Sequence, residues 1–174
     1  MTVEGRRWVN ALSLSPAARS QVDRLLRLIE AVEDELRSLE TELRRFARAD
    51  RRCIALQTIY GVGPILACHL LAELGEAARF RHARQAVRAA GLDPVVDESG
   101  DTRRRGRLAK HGSPVLRWAL VEAAQHAQRA NSPDRGLYTQ AATRVGSKRA
   151  VLTVARKIGR RAYHVLNELE TQAA

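Results

Sequence analysis

At 174 residues the chain is long enough for one ordinary domain with an extension and too short for two enzymatic domains. With 45% hydrophobic and 28% charged residues it belongs among folded proteins, and an aromatic share of 4% beside abundant Ala, Leu, Arg and Glu favours an all-α fold over a sheet. A formal net charge of +11 makes polyanions the natural partners, and without a run of about eighteen apolar residues no membrane association is expected.

The charge is uneven. Residues 16 to 52 carry nine basic against eight acidic side chains, whereas residues 53 to 174 carry nineteen against ten. Arg far outnumbers Lys, which suits bidentate contact with phosphate; a composition in which Arg merely replaces Lys is the plain alternative. Cys53 and Cys68 sit in apolar contexts, make neither a CxxC pair nor a disulfide framework, and read as reduced core thiols. With no signal-peptide core, a cytoplasmic location is expected.

Residues 1–15 read as a leader. Ser15-Pro16 then supplies an N-cap followed by proline at the first helical position. Val22, Leu25, Ile29, Val32, Leu36, Leu39, Leu43 and Phe46 recur at alternating spacings of three and four, so one narrow apolar stripe runs along a helix over 16–52. Such a stripe needs a partner. A coiled coil between chains is the preferred reading and makes these residues the oligomerisation set; packing on the chain's own domain, or an intramolecular hairpin, is the alternative.

The segment "LQTIYGVGPILACHLLAELG", residues 56–75, predicts a short helix ending at Tyr60, a tight turn at Gly61-Val62-Gly63, and a second helix beginning at Pro64 that buries Ile65, Leu66, Leu70 and Leu71. It resembles a helix-hairpin-helix motif. In that motif the glycines let the backbone approach a DNA phosphate, which meets N–H groups at the start of the second helix. Gly61 and Gly63 are therefore candidate nucleic-acid contacts, although the same turn also joins packed helices without a ligand.

"RFRHARQAVRAAGL", residues 79–92, predicts another short helix stopped by Gly91. From Asp93 to Gly112 no period is visible, and Pro94, Gly100, Gly106 and Gly112 interrupt; this predicts a long basic loop, and long loops inside domains are usually functional or disordered. A short hairpin is the alternative, since Val95 and Val96 are β-branched and "RGRLAK" is able to pair back. Ser113-Pro114 opens a helix with Val115, Leu116, Ala119, Leu120 and Ala123 on its apolar face, and Ser132-Pro133 opens a shorter one ending near Gly146. Ser147 caps a final long helix with apolar Val151, Val154, Ile158, Ala162, Val165 and Leu169. Its basic residues Lys148, Arg149, Arg156, Lys157, Arg160 and Arg161 either follow a nucleic-acid backbone or form a solvated face. Residues 53–174 are thus expected to form one compact helical domain.

Within the loop, "DESGDTRRRGRLAKHG" places a Ser-Gly step ahead of a basic run. Cleaving a phosphodiester with a serine requires an exposed hydroxyl, a proton acceptor, and cations against the charge that grows on the phosphoryl oxygens. Ser99 supplies the first. Arg103, Arg104, Arg105, Arg107 and Lys110 supply the third, and Gly100 permits close backbone approach. For the second only His111 is at hand, and a histidine beside a helix cap is more often structural. By local chemistry alone, an ordinary turn beside a basic patch is the stronger reading. Asp97, Glu98 and Asp101 lack an aligned fourth ligand for a metal and favour ion pairing with the arginines.

The ordered run "IYGVGPILACHLLAELGEAARFRHARQAVRAAGLDPVVDESGDTRRRGRLAKHGSPVLRWALVEAA", residues 59–124, resembles the C-terminal domain of transposases of the insertion sequence 110 family, also called the 116/902 domain, and of related Piv-type invertases. The matching pieces are the glycine hairpin, "AELGEAARF", "AGLDP", the "SG" step before basic residues, "KHG" and "LRWALVEAA". With the upstream stripe and the closing basic helix, the likeness extends over nearly all of residues 20–170.

The resemblance implies a DNA recombinase acting in DNA transposition, in which the serine of the "SG" step is the nucleophile that joins covalently to DNA. That role falls on Ser99. It also implies that Gly61, Gly63, Gly100, Arg103, Arg104, Arg105, Arg107, Lys110 and Arg117 lie at a DNA or RNA interface, that the coiled coil assembles a homo-oligomer, and that a structured RNA encoded by the element is a further partner. Family members carry an N-terminal RuvC-like domain whose four acidic side chains bind magnesium (Mg2+). The fifteen or so residues before the stripe are not expected to supply it, so this chain itself is expected to hold no metal or cofactor and not to be catalytically autonomous. The family commonly has a basic residue, glycine and asparagine where His111-Gly112-Ser113 stands here, which leaves the helix cap intact. A non-catalytic module that binds nucleic acid and dimerises fits the same residues.

Overall fold

A computed structural model describes residues 2–99, 102–109 and 111–173. Their fold is helical, as expected, apart from one two-stranded hairpin, and it divides into a unit ending at Glu42 and a unit beginning at Leu43. No helix among the described residues is long and apolar enough to cross a membrane.

In the first unit the expected leader forms a helix, α1 (Val3–Ala11), capped by Thr2, whose Oγ1 accepts the Gly5 N–H at 3.1 Å. Helix α2 (Pro16–Ala49) starts where the Ser-Pro signal predicts: the Ser15 hydroxyl accepts the Ala18 N–H at 3.3 Å and its carbonyl accepts the Arg19 N–H at 2.8 Å. The Arg19 guanidinium fixes the connection, donating to the carbonyls of Val9 and Asn10 at 3.3 Å and of Leu12 at 2.6 Å. The Val9 carbonyl also accepts the Leu12 N–H at 3.4 Å, so Arg19 completes the carbonyl end of α1, and a cation there also suits the helix dipole. Arg6 reaches Glu30 and, at 2.6 Å, Glu33, so α1 runs back along α2. The apolar stripe stays open to solvent: Leu25, Ile29, Val32, Leu36 and Leu39 are between 38% and 57% exposed.

In the second unit Ala47 is fully buried and Leu43 packs on the core, so the last turns of α2 belong to this unit. The helix stops at Ala49 because Asp50 starts a new one, its carboxylate accepting the N–H groups of Arg52 at 2.8 Å and Cys53 at 3.1 Å to cap α3 (Arg51–Leu56). There follow α4 (Pro64–Leu74), a 3-10 turn (Ala77–Arg79), α5 (Ala83–Ala89), strands β1 (Pro94–Ser99) and β2 (Thr102–Leu108), α6 (Pro114–Gln125), a second 3-10 turn (His126–Gln128), α7 (Arg135–Val145) and α8 (Ser147–Ala173).

Helix α8 is the axis of this unit, packing against α3, α5, α6, α7 and the first 3-10 turn. Its buried face, Val151, Val154, Ala155, Ile158, Ala162 and Leu166, follows the helical period. Small residues let the neighbours close in. A Cβ on Gly159 would lie 3.2 Å from Leu120 Cδ1 and 3.3 Å from Val87 Cγ2. Near its far end the Glu170 carboxylate accepts the N–H groups of Ala77 at 2.7 Å and Ala78 at 3.0 Å, tying residues 92 and 93 positions apart.

Most of the expected loop is an antiparallel hairpin in which Val96 pairs with Arg105, Asp97 with Arg104, Glu98 with Arg103 and Ser99 with Thr102. Between the Val96/Arg105 and Pro94/Leu108 pairs β1 advances two residues and β2 three, a bulge that spans Gly106. The β-branched Val95-Val96 and the return strand "RGRL" are the elements of the hairpin alternative. A strand of consecutive arginines carries no hydrophobic alternation, so its period of two does not show in the sequence.

Candidate nucleic-acid interface

The hairpin stands on the C-terminal end of α5. Three carbonyls there are taken up by donors from elsewhere: Ala89 by the Ser113 N–H at 2.8 Å, Ala90 by Arg117 Nη1 at 2.9 Å, and Leu92 by Arg156 Nε at 2.8 Å. Leu92 is fully buried, the Ala109 N–H donates to the Asp93 carbonyl at 2.8 Å, and Arg88 Nε meets the Asp93 carboxylate at 3.1 Å, so both strands are anchored at their base. On the return, a Cβ on Gly112 would lie 2.3 Å from the Ala89 carbonyl oxygen, a gap only glycine passes. Ser113 then caps α6, its hydroxyl accepting the Leu116 N–H at 3.0 Å.

On this base β1 carries Ser99 at its last position, opposite Thr102, and β2 carries Arg103, Arg104, Arg105 and Arg107. Gly100 and Lys110 lie outside the described residues. Arg117 is half-buried beneath the hairpin with its guanidinium engaged by Ala90, and His111 is exposed just before the α6 cap.

The second expected contact region is the glycine turn. Helix α3 ends at Leu56 rather than Tyr60, and hydrogen-bonded turns follow, Ile59 N–H to Leu56 O at 3.1 Å and Val62 N–H to Ile59 O at 2.9 Å. Its two glycines differ. Gly61 has φ +88°, and a Cβ there would lie 2.4 Å from the Ala123 carbonyl oxygen, so it is the point where the turn presses on α6. Gly63, with φ −88°, has nothing within 4 Å of where a Cβ would stand.

Residues Gln57–Gly63 line one side of a cleft of about 560 Å³, and His126, Arg129 and Asn131 line the other. Tyr60 Oη donates to Asn131 Oδ1 at 2.6 Å, joining the sides. None of the lining residues is acidic. The Gln57 amide donates to the carbonyls of Ala47 at 3.1 Å and Cys53 at 3.0 Å, which fixes its place.

The basic side of α8 divides. Lys157 Nζ lies 2.9 Å from Asp134 Oδ1, and Arg161 grips the same carboxylate with both terminal nitrogens, Nη2 at 3.0 Å from Oδ1 and Nη1 on Oδ2. Burial pushes the Asp134 carboxyl up, but Arg161 and Lys157 outweigh it and hold it below the usual carboxylate range. Arg156 is spent on Leu92, and burial presses its guanidinium below its ordinary value. Lys148, Arg149 and Arg160 remain exposed.

Among the described residues no group of three or more His, Cys, Asp or Glu side chains converges to hold a metal ion. Cys53 and Cys68 are buried and free; burial, then the neighbouring Cys68, pushes the Cys53 thiol up to about 12.

The model of the transposase IS116/IS110/IS902 family matches residues 53–140, from α3 to the middle of α7. The chain is 34% identical over 105 residues to a probable family 20 transposase of Pseudomonas aeruginosa, a match covering 56% of this chain and 31% of the relative. It is 28% identical over 165 residues to the transposase for insertion sequence element IS1111A of Coxiella burnetii, covering 92% and 45%. An insertion element IS116 uncharacterized 44.8 kDa protein of Streptomyces clavuligerus is 27% identical over 108 residues, covering 62% and 27%. The chain thus spans less than half the length of these relatives.

Proposed function

The chain belongs to the IS116/IS110/IS902 family of transposases, and from that premise we propose that it is the serine-bearing, DNA-engaging part of a recombinase acting in DNA transposition. The observation that carries this reading is the hairpin inside the family-matched segment, which ends one strand at Ser99, fills the other with arginines, and is held at its base by Ser113, Arg117 and Arg156. A rigid base under a catalytic loop is what preorganised attack requires, since positional error costs rate steeply.

In the proposed step the Ser99 hydroxyl attacks a DNA phosphorus. The Oγ–P bond forms, one P–O bond to deoxyribose breaks, the serine proton passes to a base, and the departing oxygen leaves as a sugar hydroxyl once protonated. The arginines of β2 offset the added charge on the equatorial oxygens. The magnesium-binding acids that the family resemblance implies would lie in a RuvC-like domain. The exposed stripe of α2 supports a homo-oligomer built through a coiled coil, and the free basic surface supports DNA, with a structured element RNA as a further partner.

The test is to incubate the chain with nicked element-end DNA and magnesium, with and without a purified RuvC-like half, and to look for a protein–DNA adduct that survives denaturation. The expected result is an adduct in the complete mixture that Ser99→Ala abolishes. No adduct, or an equal one from Ser99→Ala, rejects the nucleophile and leaves a binding and dimerisation module.

A further inference from the structure

We infer that the cleft between the glycine turn and the His126–Asn131 segment is a second backbone site for DNA, separate from the serine hairpin, with Arg129 as its phosphate-binding cation. The inference rests on the reading of the chain as a DNA-engaging protein. It adds a site of which only the glycine side is marked in the sequence.

Three observations carry it. First, the cleft is built. Gly61 lets the turn press against the Ala123 carbonyl, and Tyr60 bonds Asn131 71 positions away at 2.6 Å, so two distant segments are held at a fixed separation before any ligand arrives. About 560 Å³ is room for a sugar-phosphate unit, and Gly63 leaves its own side of the cleft clear.

Second, Arg129, His126 and Asn131 give the lining its available polar groups, since the Gln57 amide and the Thr58 hydroxyl already donate to backbone carbonyls, and no carboxylate lines the cleft to repel a phosphate or neutralise the arginine. The Tyr60 bond uses the Asn131 oxygen and so turns its amide N–H donors away from that contact, free for an acceptor.

Third, Arg129 is exposed and has no side-chain partner among the described residues, whereas other basic groups of this unit are engaged: Arg117 with Ala90, Arg156 with Leu92, and Lys157 with Arg161 on Asp134. An arginine with an unpaired fork beside an acid-free cleft fits a phosphate diester bidentately. Base edges are not read by such a site; it positions the backbone.

The test uses the full chain and fluorescein-labelled probes, a 40-base-pair DNA duplex, its single strand and an RNA duplex of the same sequence, in anisotropy titrations from 50 to 300 mM salt. Arg129→Gln is expected to weaken duplex DNA binding roughly five- to twentyfold and to lower the log–log salt slope by about one, the share of a single phosphate contact. Gly63→Asp, which adds a carboxylate at the cleft where a Cβ meets nothing within 4 Å, is expected to weaken it at least as much. Arg144→Gln, removing an exposed charge of α7 outside the cleft, is the control and should leave the slope unchanged. A slope for Arg129→Gln equal to that of wild type or of the control overturns the site while leaving DNA binding in place. Loss confined to the RNA probe overturns the assignment to DNA. A wild-type chain that binds no DNA rejects the functional reading and this site together.

Discussion

Arg161 of α8 holds the carboxylate of Asp134, only 2% exposed, with both terminal nitrogens, and Lys157 adds a third contact from one turn earlier. One acid at the entrance to α7 thus locks two helices and removes two charges from the basic side of α8. Replacing Asp134 with Asn leaves both cations without their counter-charge. Because Lys157 is 43% and Arg161 35% exposed, water compensates them in part, and the loss in unfolding free energy should be about 2–3 kcal/mol rather than the full cost of a buried charge. The urea midpoint measures it.

The same pair sets an acid limit. The folded-state pKa of Asp134 lies below its unfolded value, which is near 3.9, so its contribution is complete above about pH 4 and is lost as pH falls through the depressed folded value. The stability difference between wild type and Asp134→Asn should therefore be constant from pH 7 to 5 and shrink below 4. A difference that shrank already between pH 7 and 6 would assign the effect to another group.

The glycine turn separates the roles of two glycines that stand only two positions apart in sequence. Gly61→Ala combines a strained positive φ with a Cβ 2.4 Å from the Ala123 oxygen, and should cost at least about 2 kcal/mol. Gly63→Ala meets open space at an ordinary φ and should stay within about 0.5 kcal/mol of wild type. Equal effects in chemical denaturation would remove the packing role from Gly61.

Cys53 is fully buried with its thiol pushed up to about 12, so at pH 8 it holds almost no thiolate. Iodoacetamide should modify it at least about a hundredfold more slowly in the native chain than in urea, with mass spectrometry locating the label. Comparable rates would show that the α3 end of the core opens freely.

Much of the fold is legible from local grammar, since the Ser-Pro starts of α2 and α6, the Ser147 start of α8 and its apolar period are all local signals. What escapes is tertiary. The short segment "VEGRRWVNA", with Gly5 in its first turn, hides α1, whose C-terminal carbonyls are completed by Arg19 from the next helix. Nothing near Asp134 announces that cations 23 and 27 residues later will neutralise it. Arg129 and Asn131 lie in a polar connection without a period, and only folding sets them across from the glycine turn. The bond from Arg117 to the Ala90 carbonyl beneath the hairpin is likewise set only by folding.

Removing the arginines of β2 addresses the hairpin itself. If Arg103, Arg104 and Arg105 each meet a phosphate, the triple alanine variant should lower the salt slope of DNA binding by two to three units, at about 0.9 per contact. The strand register is carried by backbone bonds, and Ala keeps them, so the fold of the second unit should persist in thermal melts. An unchanged slope with an intact fold takes this strand out of the interface.

The stripe of α2 tests assembly. Leu25, Ile29, Val32, Leu36 and Leu39 are half-exposed in one chain, and covering each with a second copy would contribute on the order of 1 kcal/mol through the apolar area removed from water. Ile29→Lys with Leu36→Lys sets two charges in the middle of that seam, where a coiled coil tolerates them least. The double variant should sediment as a monomer where wild type sediments as a dimer or larger, while α8 amides, which belong to the other unit, keep their hydrogen-exchange protection. A wild-type chain that is monomeric at 50 micromolar (on the order of a strong coiled coil's working range or far above it), or a variant that keeps the wild-type mass, removes the stripe as the oligomer seam.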